Sequence, residues 1–283
     1  MLLNVLLTKM VADWFAELEL ATAMGILAAS WPLGIGLALV LLGPLSVITS
    51  WSFAVLVTAC ACTVAMVCVA AVYRRPDMLS SNAANPALSG WLSQRELALA
   101  CLAGTIWALY NVAYIIVVSF SPLLLAKQGF NAANASVVVS FATWPLIATV
   151  LVGGLIADRT RRGHEIMVGC FVAMAVSMPL MLAAPSPLIV LAIIGALTGP
   201  AAGIIMALPT RTLSLQSRHA GMGIFYTFYY AGMALLPSVA GWFRDISGID
   251  SAPLLFGSSL LFVAAACAML FRRLEGKAAA LAS

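Results

Sequence analysis

Thirty uncharged residues in a row decide the fold of this chain. They run from Leu97 to Ala126 and read LALACLAGTIWALYNVAYIIVVSFSPLLLA. A helix needs roughly 20 mostly apolar residues to cross the hydrocarbon core of a bilayer. The stretch is apolar on all sides, which favours a helix over the alternating pattern of a membrane β-strand. It therefore predicts a membrane-spanning helix, and the capping box from Ser93 to Glu96 marks where that helix starts.

The composition of the whole chain indicates that lipid is its main solvent. Of the 283 residues, 63% are hydrophobic and 8% are charged, and the mean hydropathy is +1.07. A soluble domain is about half apolar and about a quarter charged, and it could not bury this much apolar surface. Soluble enzymes, nucleic-acid-binding proteins and disordered chains are therefore excluded as broad classes. The net charge of +4 is too small and too scattered to predict a nucleic-acid partner.

Other stretches have the same character, being long, apolar and free of Asp, Glu, Lys and Arg. The sequence therefore predicts an all-α integral membrane protein, a helical bundle of eight transmembrane spans whose first partner is the lipid bilayer. The spans are expected at about 20–45, 51–73, 97–126, 133–157, 166–185, 187–210, 220–243 and 252–271.

The basic residues fall mostly on one side of this predicted topology. Of the 14 Lys and Arg residues, twelve lie at the termini and the connections on their side, and two lie on the other side. Cytoplasmic loops carry an excess of Lys and Arg. Both termini are therefore predicted to be cytoplasmic, and a plasma (inner) membrane is the expected location.

The order of the spans also has a pattern. The longest polar stretch, 74–96, separates two spans from a block of six, and a turn at Pro185–Pro187 divides that block into three plus three. Inverted repeats of three spans are typical of secondary transporters. A short sequence repeat, which we call the Trp-Pro echo, occurs twice in the chain. Its copies are Ser30-Trp-Pro-Leu33 in the first span and Thr143-Trp-Pro-Leu146 in the fourth.

Charged side chains, which mark proton relays inside membranes, do not occur within the predicted spans. His164 and His219 lie in connections, and the six cysteines lie in apolar runs as small hydrophobic residues. No catalytic group, metal site or cofactor is expected, and the protein is not predicted to be an enzyme. No Walker A pattern occurs, so no ATP-binding domain is predicted in this chain.

Span three carries the best candidates for lining a solute cavity. Trp107, Tyr110, Asn111 and Tyr114 have the spacing i, i+3, i+4, i+7 and so share one helix face. An asparagine in lipid requires a polar partner, so this face is expected to point into protein or water. An interfacial aromatic belt is the alternative. A second set of candidates, for which helix packing is the alternative, lies in span seven: Tyr226, Tyr229 and Tyr230.

Span six has a glycine at every fourth position, at Gly195, Gly199 and Gly203. This spacing is typical of a seam where two membrane helices pack closely. Pro200 lies within the seam and frees a backbone carbonyl, so it is expected to bend the helix. The bend would serve either packing or a rocking motion.

A short motif after span four resembles a known family. Gly154-Leu-Ile-Ala-Asp158-Arg159-Thr-Arg-Arg162 lies on a predicted cytoplasmic loop. It resembles the loop signature of the major facilitator superfamily, G-x-L-x-D-R-x-G-R-[KR], and departs from it at Arg161 and Gly163. Further passages are similar to the fourth, fifth and eleventh spans of that superfamily: Lys9–Phe15, Ala23–Gly25, Gly223–Tyr230 and Ala240–Asp245.

The resemblance implies a secondary transporter that moves a small solute across the membrane by alternating access. Members have twelve spans, which implies that the first three are absent and that 1–73 is a remnant of the N-terminal half. It makes 74–96 the central cytoplasmic loop, 97–273 the C-terminal six-span half and 274–283 a cytoplasmic tail. A truncated, non-transporting fragment or scaffold is the alternative, and a membrane-embedded enzyme fits the residues less well.

The resemblance also implies roles for individual residues. In the superfamily the motif loop holds the two halves together on the inner side in one state, which implies a gating role; anchoring of orientation is the alternative. The first and fourth spans border the interface between the halves, so kinks at Pro32 and Pro145 would affect alternating access. The implied gating residues are Gly154, Asp158, Arg159 and Arg162.

Overall fold

The computed structural model describes residues 20–72, 92–160, 162–213 and 217–282, and these residues form nine helices without a strand. In chain order the helices are α1 Leu20–Ile48, α2 Trp51–Val72, α3 Gln94–Lys127, α4 Ala132–Ser140, α5 Trp144–Thr160, α6 Gly163–Leu180, α7 Pro187–Thr212, α8 Arg218–Ser247 and α9 Ala252–Ala282.

Seven segments of these described residues are long and apolar enough to cross a bilayer. They lie in α1, α2, α3, α6, α7 and α9, and across α4 and α5 taken together. The prediction of an all-α membrane bundle is therefore confirmed. The eighth predicted span, 220–243, lies within α8, which has spanning length but a lower apolar content because of its tyrosines and glycines.

The helix α3 lies at the centre of the described bundle and packs against α4, α7, α8 and α9. Membrane helices associate through close van der Waals packing, which small residues allow because they let two backbones approach. Gly104 shows this on the α8 side, where an added Cβ would come within 2.5 Å of the Phe225 carbonyl oxygen. Larger side chains of α3, such as Ile106 and Ile116, are fully buried in the bundle.

The first two helices pack less extensively within the described residues. The helix α1 packs against α4 and α5, and α2 packs against α1. Ala54 is the buried residue of α2, whereas Trp51 is 74% exposed. Apolar side chains on such a helix need no protein cover in a bilayer, because lipid chains are as apolar as they are.

The fourth predicted span is split into α4 and α5 by a turn at residues 141–143. The amides of Phe141, Ala142 and Thr143 each bond to a carbonyl three residues back rather than four. Pro145 follows directly and lacks the N–H that would bond to the Phe141 carbonyl. The break therefore falls just before the second Trp-Pro pair of the chain.

Several helices meet at the end of the bundle where α3 begins, which we call the Ser93 end. Ser93 caps α3 and Glu96 completes the capping box, as the sequence predicts. Glu96 Oε1 also accepts a hydrogen bond of 2.6 Å from the hydroxyl of Ser217, just before α8. Arg272 of α9 pairs with Glu165 of α6 at 2.6 Å. These contacts join the ends of α3, α8, α6 and α9 at one level.

Some helix bounds differ from the sequence prediction. Residues 154–160 of the motif belong to the last turns of α5 rather than to a loop, since no proline interrupts them and Arg159 suits the negative end of the helix dipole. Residues 74–91 of the predicted central loop lie outside the described residues, and α3 already begins at Gln94. The helix α9 continues beyond the predicted span to Ala282, so residues 274–282 of the predicted tail are helical.

Candidate functional site: an aromatic wall on α3 and α8

Three of the four candidates on the α3 face are buried inside the bundle. Tyr110 and Asn111 are each 3% exposed and Tyr114 is 1% exposed. The hydroxyl of Tyr110 donates a hydrogen bond of 2.6 Å to the carbonyl of Thr198 on α7. The side-chain amide of Asn111 donates one of 2.8 Å to the carbonyl of Trp107. This face therefore points into protein, and its polar groups are already paired there.

The fourth candidate, Trp107, is partly exposed and joins α3 to α8. Its ring stacks on Tyr110 with centroids 5.5 Å apart and lies 5.8 Å from the ring of Tyr229. Tyr229 meets Tyr230 edge-on at 4.7 Å, and Tyr230 stacks with Tyr226 at 6.2 Å. We call these four partly exposed residues, Trp107, Tyr226, Tyr229 and Tyr230, the aromatic wall. It brings both predicted sets of cavity candidates into one cluster.

The aromatic wall lies near the middle of the length of α3, far from either end of the helix. Trp107 to Tyr114 occupy the middle third of the 34 residues of α3. At 1.5 Å per residue, Trp107 is roughly 20 Å along the axis from Gln94. This depth places the rings away from the helix ends, where an interfacial aromatic belt would lie.

Sequence reasoning missed the partners of Tyr114. Its hydroxyl donates a hydrogen bond of 3.1 Å to Thr143 Oγ1, and its ring lies 5.8 Å from that of Trp31 on α1. Thr143 and Trp31 belong to the two copies of the Trp-Pro echo, so the signal that could have found this contact was in the sequence. A Cβ on Gly36 of α1 would lie 3.5 Å from Thr143, which shows how closely the two segments approach.

The glycines of α7 form a seam with the helices of the fourth predicted span. A Cβ on Gly195 would collide with the backbone of Ala142, and one on Gly199 would lie 2.6 Å from the carbonyl carbon of Thr149. A Cβ added to Gly153 of α5 would lie 2.7 Å from the Cβ of Pro200. Gly203, by contrast, has no atom within 4 Å of an added Cβ.

The motif residues are placed unevenly. Gly154, Asp158 and Arg159 lie in α5, and Arg162 precedes α6. Arg159 and Arg162 are exposed, whereas the burial of Gly154 and of Asp158 is not among the features that the structure describes. Pro32 lies inside α1 and is buried.

Ion pairs tie α3 to α8 at the opposite end of the bundle, which we call the Lys127 end. Asp250 Oδ1 lies 2.9 Å from Nη2 of Arg244, the last basic residue of α8, and its other oxygen pairs with Lys127 of α3. The hydrogen bond from Lys127, followed by those from Arg244, lowers the pKa of Asp250 below its ordinary value. Together with the Glu96–Ser217 bond, these pairs hold α3 and α8 at both ends. The aromatic wall lies between these two sets of contacts.

Metal-binding groups are not gathered in the residues that the structure describes. No group of three or more His, Cys, Asp or Glu side chains lies close enough together there to hold a metal ion.

Comparison with known families supports the resemblance seen in the motif. The sequence model described as Major Facilitator Superfamily matches residues 2–235 and, in a second and overlapping match, residues 102–282. The two matches together cover nearly the whole chain. A comparison with individual curated proteins finds no match.

Proposed function

The chain belongs to the major facilitator superfamily, and we propose that it moves a small solute by alternating access around the aromatic wall. Family membership carries the general function, secondary transport across a membrane. In such transporters the substrate site lies near the bilayer midplane and two helical parts rock around it.

The observation that carries the proposal is the aromatic wall itself. It lies at the middle depth of α3, its four rings are partly exposed, and they come from two different helices. The contact between Trp31 of α1 and Tyr114 of α3 lies two helical turns further along the same face. A solute held by the wall would therefore lie about 10 Å from the place where α1 packs on the six-span block, and rocking there would change its access.

We assign Asp158 and Arg159 a gating role at the Ser93 end. A carboxylate near the positive end of a neighbouring helix gains about 0.3–1 kcal/mol, and a guanidinium can bridge to carbonyls or acids across a gap. Arg159 is exposed and lies in the last turn of α5. Breaking such contacts would open this end.

An uptake assay in proteoliposomes tests both parts of the proposal. The purified chain is screened with small organic cations, anions, amino acids and sugars, alongside the variants Asp158→Asn and Arg159→Gln. Arg273→Gln is the matched control, since Arg273 is an exposed arginine of α9 at the same end. We expect uptake by the wild type and the control and its loss in both motif variants.

The outcomes separate the two claims. Normal uptake by both motif variants would refute the gating role while leaving transport intact. Absence of uptake for every solute, by protein shown to be folded and inserted, would favour the alternative of a non-transporting membrane protein.

We further propose that the Ser93 end faces the cytoplasm of a cell with this protein in its plasma membrane. The described basic residues at this end outnumber those at the Lys127 end, as the positive-inside rule requires. A tag on the C-terminus should then be cleaved by protease in inside-out vesicles and protected in right-side-out cells. The residues concerned are Arg95, Arg159, Arg162, Arg272 and Arg273.

A further inference from the structure

We propose that the aromatic wall binds an organic cation, specifically a quaternary ammonium group held by cation–π contact with Trp107 and Tyr229. For binding, the inference stands on the geometry of the wall; for movement of the cation, it rests on the proposed transport function.

The rings are arranged so that their faces meet at angles. Trp107 and Tyr229 are 5.8 Å apart and inclined by 36°, and Tyr229 and Tyr230 are 4.7 Å apart and inclined by 62°. These inclinations show that the rings of the wall do not form one flat stack, although Trp107 also stacks on Tyr110 with an inclination of 19°. A cation is attracted to a ring face within about 6 Å of the centroid, most strongly by tryptophan. Because the rings are partly exposed and the centroids of these two pairs are 5.8 Å apart or less, one positive group can lie within about 6 Å of more than one ring.

The polar groups beside the wall are engaged elsewhere. The hydroxyls of Tyr110 and Tyr114 donate to Thr198 and Thr143, and the amide of Asn111 donates to a carbonyl of its own helix. A sugar or an amino acid needs several hydrogen-bond partners in its site, because each of its buried polar groups costs free energy if left unpaired. Apart from the three tyrosine hydroxyls of the wall itself, this part of the site presents aromatic rings, and these suit a ligand whose charged group requires no hydrogen bond.

The same reasoning selects among cations. Metal ions and primary amines hold their water tightly and need oxygen atoms to replace it, as a buried unpaired charge is costly. A quaternary ammonium group has no N–H to satisfy and carries its charge on methyl groups. Aromatic cages recognise such groups in proteins. An anion would meet the negative faces of the rings and gain nothing from them.

A permanent cation would also have a source of energy that needs no proton relay. At equilibrium, each 100 mV of membrane potential supports about a 50-fold ratio between the concentrations of a monovalent cation on the two sides of the membrane. The predicted spans contain no Asp or Glu to carry a coupling proton. The charge of the solute itself would then couple its uptake to the potential.

Binding of phenyltrimethylammonium to the purified full chain tests the inference, with tert-butylbenzene as its neutral isostere. We expect the cation to bind at least tenfold more tightly than the isostere. Trp107→Leu and Tyr229→Leu should each weaken cation binding by about 2- to 30-fold. Trp107→Phe should restore part of it, and Trp51→Leu, an exposed tryptophan on α2, should change nothing. Thermal unfolding of each variant shows that it is folded.

Equal affinity for the cation and its isostere, or unchanged cation binding in both leucine variants, would overturn the inference. Uptake of phenyltrimethylammonium into proteoliposomes should rise when an inside-negative potassium diffusion potential is imposed. If the cation fails to bind while another solute is transported, the substrate class is wrong and the transport function stands. If the cation binds with the expected variant pattern but no solute crosses, the site stands and the transport function fails.

Discussion

Adding one methyl group at Gly199 should destabilise the protein, because Gly199 lies in the packing seam of α7. The same addition at Gly203, outside the seam, should not. In Gly199→Ala the added Cβ would lie 2.6 Å from two backbone atoms of α5, the carbonyl carbon of Thr149 and the amide nitrogen of Val150. Backbone atoms cannot move aside as the end of a flexible side chain can, so α5 and α7 must separate. Overpacking of this kind costs typically about 1–3 kcal/mol.

The helix propensity of alanine acts in the opposite direction. Alanine is favoured over glycine inside a helix by about 0.8–1.0 kcal/mol. The expected net effect of Gly199→Ala is therefore a destabilisation of about 0–2 kcal/mol. Gly203→Ala is the matched control, because its Cβ meets no atom within 4 Å and it keeps only the propensity gain. Its expected effect is a stabilisation of up to about 1 kcal/mol.

Thermal unfolding in lipid nanodiscs measures both variants against the wild type. The apparent Tm should fall for Gly199→Ala and should stay or rise for Gly203→Ala. Equal shifts of the two variants in the same direction would refute the assignment of the seam to Gly199 and the backbone of α5.

Three further predictions concern the contacts that hold the wall. Because the pKa of Asp250 is lowered in the folded protein, its ion pairs stabilise the fold above the ordinary carboxyl pKa and this contribution is lost as the pH falls through the lowered value. Thermal stability should therefore drop below about pH 4 in the wild type and much less in Asp250→Asn, with Asp245→Asn, an exposed neighbour, behaving as the wild type. Ser217→Ala removes the bond between the start of α8 and Glu96, so its unfolding free energy should fall by about 0.5–1.5 kcal/mol, and no change would contradict the tie. Tyr114→Phe keeps the ring beside Trp31 but loses the hydrogen bond to Thr143, and unfolding in nanodiscs should show a loss of about 0.6 kcal/mol, against a larger loss for Tyr114→Leu.

The membrane fold could be predicted from the sequence because lipid imposes a simple length rule. The uncharged stretch 97–126 lies inside α3, and the capping box at Ser93 marks its start as predicted. Helix ends near charges were less predictable. The motif at 154–160 contains two charged residues, and for that reason the sequence predicts a loop there. These residues instead complete α5. A long charged side chain at a helix end can still reach the membrane surface.

The site could be predicted only in part, since spacing along one helix says nothing about what lies across from it. The spacing of Trp107 and Tyr110 places them on one face of α3, and the structure stacks their rings. Whether a residue on that face is open or buried depends on its neighbours, and α7 covers Tyr110 through Thr198. The contact of Trp31 with Tyr114 joins helices that are far apart in sequence, so only the repeated Trp-Pro pair hinted at it.

Counterflow in proteoliposomes tests the central claim, transport by alternating access, most directly. Vesicles are loaded with a high concentration of an unlabelled solute found by the uptake screen and are diluted into a trace of the same solute carrying a radiolabel. A carrier that alternates returns to the outside faster when loaded, so the account predicts a transient accumulation of label above its outside concentration. Label that only equilibrates, at a rate independent of the internal load, would contradict alternating access.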